Sequence, residues 1–398
     1  MKAKIHYALV ILAGLFMLML GYTWIDMKHN PIVYKKETVG IAMIASSTKS
    51  GEEEELVAVS VWPAVLDTVD YDKRLLVLAG YVPPPPITVV STSTDSSGSL
   101  IVSTTTTAAP SLLRYSSSTN VTVDGALWPK AAAYPHGGAV LPYKRILAYY
   151  GNFYSRQMGI LGELEPEAML DRLAEAQAQW EKADPTTPVL PAIEYIAMVA
   201  QAEAGRDGMY RAVMPDAEIE KAYDLAKKIN GVMILDIQVG LSTLEVELPK
   251  FRKYLERPDV FFAIDPEFSM KGGEKPGTVI GTFSAADINY VIDYLSTIVR
   301  EKQLPPKVLI VHRFTQDMVT EVSKIKPSKE VQVVMEMDGW GPKDLKRATY
   351  SHVIEPEPVQ FSGLKIFYKN DLKAPSTGLL TPEDVLNLNP RPIYIQYQ

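Results

Sequence analysis

Phe261-Phe262-Ala263-Ile264-Asp265-Pro266-Glu267-Phe268 is an apolar, strand-forming run that ends in two carboxylates. Three further stretches are built the same way: Val232-Met233-Ile234-Leu235-Asp236-Ile237-Gln238, Lys307-Val308-Leu309-Ile310-Val311-His312, and Val331-Gln332-Val333-Val334-Met335-Glu336-Met337-Asp338. In each, β-formers lead into polar, chemically able side chains. In a barrel of parallel strands, that C-terminal end is where active sites are assembled.

Working outward, strand and helix signals alternate from Arg145 to the last residues. Strands are expected at 145–151, 188–197, 232–239, 259–268, 307–314, 331–338, 363–369 and 391–397. Helices are expected at 165–183, 216–230, 244–256, 284–302, 316–325, 342–350 and 381–388. This count fits an α/β fold of about 250 residues, a (β/α)8 TIM-like barrel, here placed at 140–398. The competing doubly wound sheet asks for a glycine-rich first turn, and Gly151-Asn152-Phe153-Tyr154 is not one.

Upstream, Lys2 and Lys4 precede an apolar run from Tyr7 to Ile25 that meets no charge until Asp26. That is long enough to span a bilayer as a helix and lacks a small-residue exit, so residues 1–27 read as a signal anchor, a transmembrane helix. Cleavage and secretion is the alternative. Residues 28–82 form a small segment whose apolar residues suit a helix or a hairpin. Residues 83–135, with Pro83 to Pro86 followed by a Ser/Thr-dominated stretch, read as a disordered Pro/Ser/Thr-rich linker or stalk. A stalk between an anchor and a domain places the barrel on the extracytoplasmic face, attached to the membrane through the N-terminal helix.

Composition narrows the chemistry. The hydrophobic fraction of 47% supports a large core, and a net charge of −7 gives no reason to expect nucleic acid. The absence of cysteine excludes disulfides, thiolate metal sites and a cysteine nucleophile. There is no G-x-S-x-G, and the five histidines show no short-spaced pair of the zinc-hydrolase kind. No cofactor is assigned, and the pattern carries no information on oligomeric state.

Side chains two apart on a strand share a face. Asp265 with Glu267, Asp236 with Gln238, and Glu336 with Asp338 are therefore expected to project together, with His312 among them. Tyr149 or Tyr150, Glu194, Trp340, Tyr368 and Asn370 join the expected rim. Several carboxyls, one imidazole and flanking aromatics suit cleavage of a glycosidic bond in a cell-surface or cell-wall polysaccharide. Glu267 is the expected acid because crowding by like charges raises a carboxyl pKa. Asp265 would hold it, and Asp338 or Asp236 would stabilise positive charge at the reacting carbon. Tyr149, Tyr150, Glu194, Gln238, His312, Glu336, Trp340, Tyr368 and Asn370 are the expected substrate contacts. A carbohydrate-binding protein without catalysis, and a hydrolase using Mg²⁺ or Mn²⁺ among the same carboxylates, are the other readings. The loop Lys271-Gly272-Gly273-Glu274-Lys275-Pro276-Gly277 suits a lid over the mouth.

Asp265-x-Glu267 resembles the end of the D-x-x-D-x-D-x-E motif of chitinase-type TIM-barrel glycoside hydrolases. Met335-Glu336-Met337-Asp338 is similar to the M-x-Y-D of that family. The resemblance implies that Glu267 is the acid and Asp265 its assistant. Val260 and Ala263 stand where the family has its two earlier aspartates, and Met337 replaces its tyrosine. Acetamido assistance from the substrate, which the tyrosine supports, is thereby put in doubt.

Overall fold

The computed structural model describes residues 65–81, 87–107, 113–116, 119–357 and 359–398. The expected anchor over 1–27 lies outside the described residues. Among those described, no helix is long and apolar enough to cross a membrane.

Eight parallel strands close into a barrel: β1 (Arg145–Gly151), β2 (Val189–Ala200), β3 (Val232–Ile237), β4 (Val260–Ile264), β5 (Lys307–Arg313), β6 (Val331–Met337), β7 (Phe361–Ile366) and β8 (Tyr394–Tyr397). Each pairs in parallel with the next, and β8 returns to β1 through Tyr394↔Ile146 and Tyr397↔Tyr149. A short antiparallel strand, Arg211–Val213, extends the end of β2. Alternation sorts the side chains. Leu147, Ile193, Leu235, Phe262, Leu309 and Val333 pack outward against the helices. Ala148, Ala192, Ile234, Ala263, Ile310 and Val334 fill the interior.

Among the described residues, the α-helices of five or more residues are α1 (Thr68–Leu78), α2 (Pro166–Ala183), α3 (Asp216–Lys228), α4 (Ala285–Lys302), α5 (Lys343–Val353) and α6 (Pro382–Leu386). Their starts follow local chemistry. Pro166 opens α2, and Ser284 with Asp287 forms a reciprocal cap on α4. Helix α2 places Met169, Leu173, Ala176 and Trp180 on its buried face, the spacing of one helical stripe.

Helix α1 precedes the barrel and closes its N-terminal end. Tyr71, Leu75 and Leu78 lie one above another on α1 and enter the same apolar cluster as Ile146, Val232, Val308 and Phe361. Buried Asp72 accepts hydrogen bonds from the Val121 backbone and from the Tyr134 hydroxyl, at 3.3 and 2.7 Å. Gln332, inside β6, exchanges both amide hydrogen bonds with the Leu141 backbone.

Several expectations are corrected. The helix expected at 316–325 is instead two 3-10 turns, Gln316–Met318 and Val322–Lys324, around a two-residue strand, Val319–Thr320, paired with Phe283–Ser284. The β-branched pair favours extension, and Glu321 adopts φ 56°, which interrupts any helix. The segment 244–256 breaks into two short α turns around a 3-10 turn at Leu248–Phe251, with Pro249 in its first turn. The 83–135 stretch, expected to be disordered, contains antiparallel pairs Ile87–Thr94 with Leu100–Thr107 and Leu113–Ser116 with Thr119–Val123. Its threonines and valines are strand formers as well as linker residues, and Asp95-Ser96-Ser97-Gly98 supplies the turn, with Gly98 at φ 85°.

Candidate functional site

The last inward-facing position of nearly every strand is polar. Tyr150, Asp236, His312, Glu336, Lys365 and Gln396 stand at the C-terminal ends of β1, β3, β5, β6, β7 and β8, Glu194 joins them from the middle of the longer β2, level with Tyr150, and all are buried. Asp265, immediately after β4, completes the ring and is 3% exposed. Gln238, Glu267 and Asp338 follow one step further out. Six carboxyls (Glu194, Asp236, Asp265, Glu267, Glu336 and Asp338) thus gather around two basic groups, His312 and Lys365.

The contacts show how they are held. Tyr150 donates its hydroxyl to Asp236 Oδ2 at 3.0 Å. Gln238 donates to Asp265 Oδ2 at 3.2 Å. Tyr394 and Gln396 both donate to Glu194 Oε2. Lys365 Nζ lies 3.1 and 3.2 Å from the two oxygens of Asp338, and 3.8 Å from the centre of the Tyr150 ring. His312 presents Nδ1 to Glu336 and Asp338, and Nε2 to Glu194 and Asp236.

Burial and crowding set the protonation states. Burial pushes Asp236 and Glu336 up to about 7, with His312 opposing the shift in both. Burial raises Asp265 as well. Glu267 is held well above the ordinary carboxyl value by burial and then by Asp265 and Asp338. Burial works against ionised Asp338, yet Lys365 and His312 together keep it below the ordinary value. For His312 burial disfavours the charged ring, but Glu336, Asp338 and Glu194 outweigh it and hold the imidazole well above its usual value.

The geometry of Asp265 and Glu267 differs from the strand reading. β4 ends at Ile264, and Pro266–Phe268 forms a 3-10 turn. Pro266 has no N–H to continue the ladder. The two side chains are therefore not related by strand alternation; Asp265 caps the turn, its Oδ1 accepting the Glu267 backbone N–H at 3.0 Å. Glu267 is half-buried, and among the described residues its carboxyl has no hydrogen-bond or salt-bridge partner.

Among the expected aromatic contacts, only Tyr150 joins the ring. Tyr149 faces outward from β1; its hydroxyl meets the Arg172 carbonyl and the Tyr368 hydroxyl. Tyr368 stacks on Tyr397 and lines a cleft of about 290 Å³ between α2 and residues 379–382, outside the barrel. Its neighbour in sequence explains this placement, because Phe367 takes the inward alternation after Lys365. Asn370 is buried in a 3-10 turn beyond β7. Trp340 is half-buried past β6, with Lys373 Nζ 5.0 Å from its ring centre. Lys365 is the main residue that the sequence reading missed. The signal was Phe361-Ser362-Gly363-Leu364-Lys365, in which Phe361, Gly363 and Lys365 alternate inward.

Just past the expected lid loop at 271–277, the chain is tied to the turn that carries Glu267. Gly281 donates its N–H to the Glu267 carbonyl at 2.7 Å. A Cβ on Gly281 would lie 2.5, 2.6 and 2.7 Å from the carbonyl oxygens of Pro266, Ser269 and Glu267. Gly281→Ala is therefore expected to push the turn carrying Glu267 and to cost about 1–3 kcal/mol. Thermal unfolding checks this. An unchanged midpoint would show that the loop yields without cost.

No protein-family model matches the chain, and no curated protein matches it.

Proposed function

We propose that the barrel mouth hydrolyses a glycosidic bond in a cell-surface or cell-wall polysaccharide, with Glu267 as the general acid. The observation that carries this reading is the placement of Glu267. It is a half-buried carboxyl without a partner among the described residues, fixed by the Asp265 cap at the C-terminal mouth of a closed parallel barrel. A carboxyl kept protonated by burial and by neighbouring carboxylates is suited to deliver a proton to a leaving oxygen. Asp265 orients it through the turn, and the surrounding carboxylates favour the positive charge that develops on the sugar. An extracytoplasmic location and attachment through the N-terminal residues belong to the same proposal.

The test is turnover of a panel of labelled glycans by wild type and by Glu267→Gln. Cleavage that disappears in the variant, with glycan binding retained, supports the reading. Binding without turnover in both proteins favours a carbohydrate-binding role. Turnover unchanged in the variant removes Glu267 from the chemistry.

A further inference from the structure

The arrangement around His312 does not follow from proton delivery by Glu267. Nδ1 of His312 is 2.7 Å from Glu336 Oε2 and 3.1 Å from Asp338 Oδ2. These separations are short, yet neither ring nitrogen makes a hydrogen bond of acceptable direction, and both Glu336 oxygens are also without one. His312 and Glu336 are fully buried, so their polar atoms are not in contact with bulk solvent. Leaving such groups unsatisfied is costly.

Short contacts that miss the N–H direction have a simple geometric meaning. Donor atoms in adjacent positions around a cation, each about 2.1 Å from it, lie about 3 Å from one another and point at the cation, not at each other. Nδ1, a Glu336 oxygen and an Asp338 oxygen all lie within 4.8 Å of one another. Charge agrees with geometry, since among the described residues the six carboxyls outnumber the basic groups beside them, which are His312, Lys365 and, through Asp338, Lys346. Lys365 lies 3.1 and 3.2 Å from the two oxygens of Asp338, including the one that faces His312, and would hold that ligand in place.

We propose that His312, Glu336 and Asp338 form a binding site for one divalent first-row metal ion at the barrel mouth. One imidazole and two carboxylates are a donor set suited to Mn²⁺, Fe²⁺ or Zn²⁺. The ion would bind through neutral Nδ1 and would offer its remaining positions to substrate oxygens. The inference concerns the same mouth but does not rest on the glycosidic reading.

The probe is Mn²⁺ added to the full chain after stripping with a chelator. Free ion is counted by electron paramagnetic resonance, and the bound ion is examined for nitrogen coupling by spin-echo spectroscopy. One Mn²⁺ per chain with coupling to a single imidazole is expected. His312→Gln should abolish that coupling. Asp338→Asn, at a position whose side chain is 10% exposed and so less exacting for folding, should keep the coupling and weaken binding at least about tenfold. Failure of folded wild type to bind at millimolar Mn²⁺ overturns the proposal. So does a nitrogen signal that survives in His312→Gln, or an unchanged affinity in Asp338→Asn. None of these readouts uses a glycan, so failure of the metal site and failure of the glycosidic reading are separately visible.

Discussion

Replacing Glu267 with Gln is expected to lower glycoside turnover by about 10²–10⁴-fold, the usual contribution of a positioned general acid. The amide keeps the shape of the carboxyl but has no acidic proton to give. Folding should survive, because the side chain is half-buried and has no hydrogen-bond or salt-bridge partner among the described residues that the change would break. Two further readouts separate lost acid catalysis from a general disturbance of the mouth. An aryl glycoside with a good leaving group departs without a proton, so the variant should lose far less activity on it than on a natural linkage. The pH profile follows the same logic. The acid works only while protonated, so wild-type activity should fall as pH rises through the Glu267 pKa. Burial and its carboxyl neighbours place that fall above the ordinary range for glutamate. The variant should lose this limb. Equal losses on activated and unactivated substrates would sink the assignment.

The barrel was legible because its strands are buried on both faces and so appear as continuous apolar runs. β1, for instance, has the bounds expected from Arg145-Ile146-Leu147-Ala148-Tyr149-Tyr150-Gly151. Strand ends gave Glu194, Asp236, His312 and Glu336, because a charged residue that breaks an apolar run stands out. Facing was harder to read. Tyr149 and Tyr150 are adjacent and chemically alike, and only the pairing of β1 with its neighbours decides that Tyr150 is inside. Lys365 escaped notice for a related reason. β7 begins at Phe361, two residues before the expected 363, which moves Lys365 from mid-strand to the rim. The Pro266 turn escaped because the sequence around it continues to look extended. The off-axis contacts of His312 depend on β2, β3, β5 and β6 meeting, and no local pattern encodes them.

The N-terminal end of the barrel yields the second large expectation. Leu75→Ala should destabilise the fold by about 2–5 kcal/mol, although Leu75 lies 70 residues before the first barrel strand. The cause is position. Leu75 is 1% exposed and packs with Tyr71 and Leu78 against the inward residues of the barrel, among them Ile146, Val232 and Phe361. Truncation leaves a hole bounded by strands that cannot move inward without breaking their pairing. The same helix supplies its own control. Val77 is 45% exposed, so Val77→Ala should change stability by no more than about 0.5 kcal/mol. Denaturant unfolding of the two variants decides the matter, and equal stabilities would refute the closing role of α1. The mouth lies at the opposite end, so Leu75→Ala should leave turnover per folded molecule unchanged. A large loss for Leu75 alone would mean that α1, held by its Asp67 cap and by the Asp72 bonds to Val121 and Tyr134, is a structural part of the barrel domain. The segment between the N-terminal residues and the barrel would then not act as a free tether along its whole length, because part of it closes the barrel that it carries.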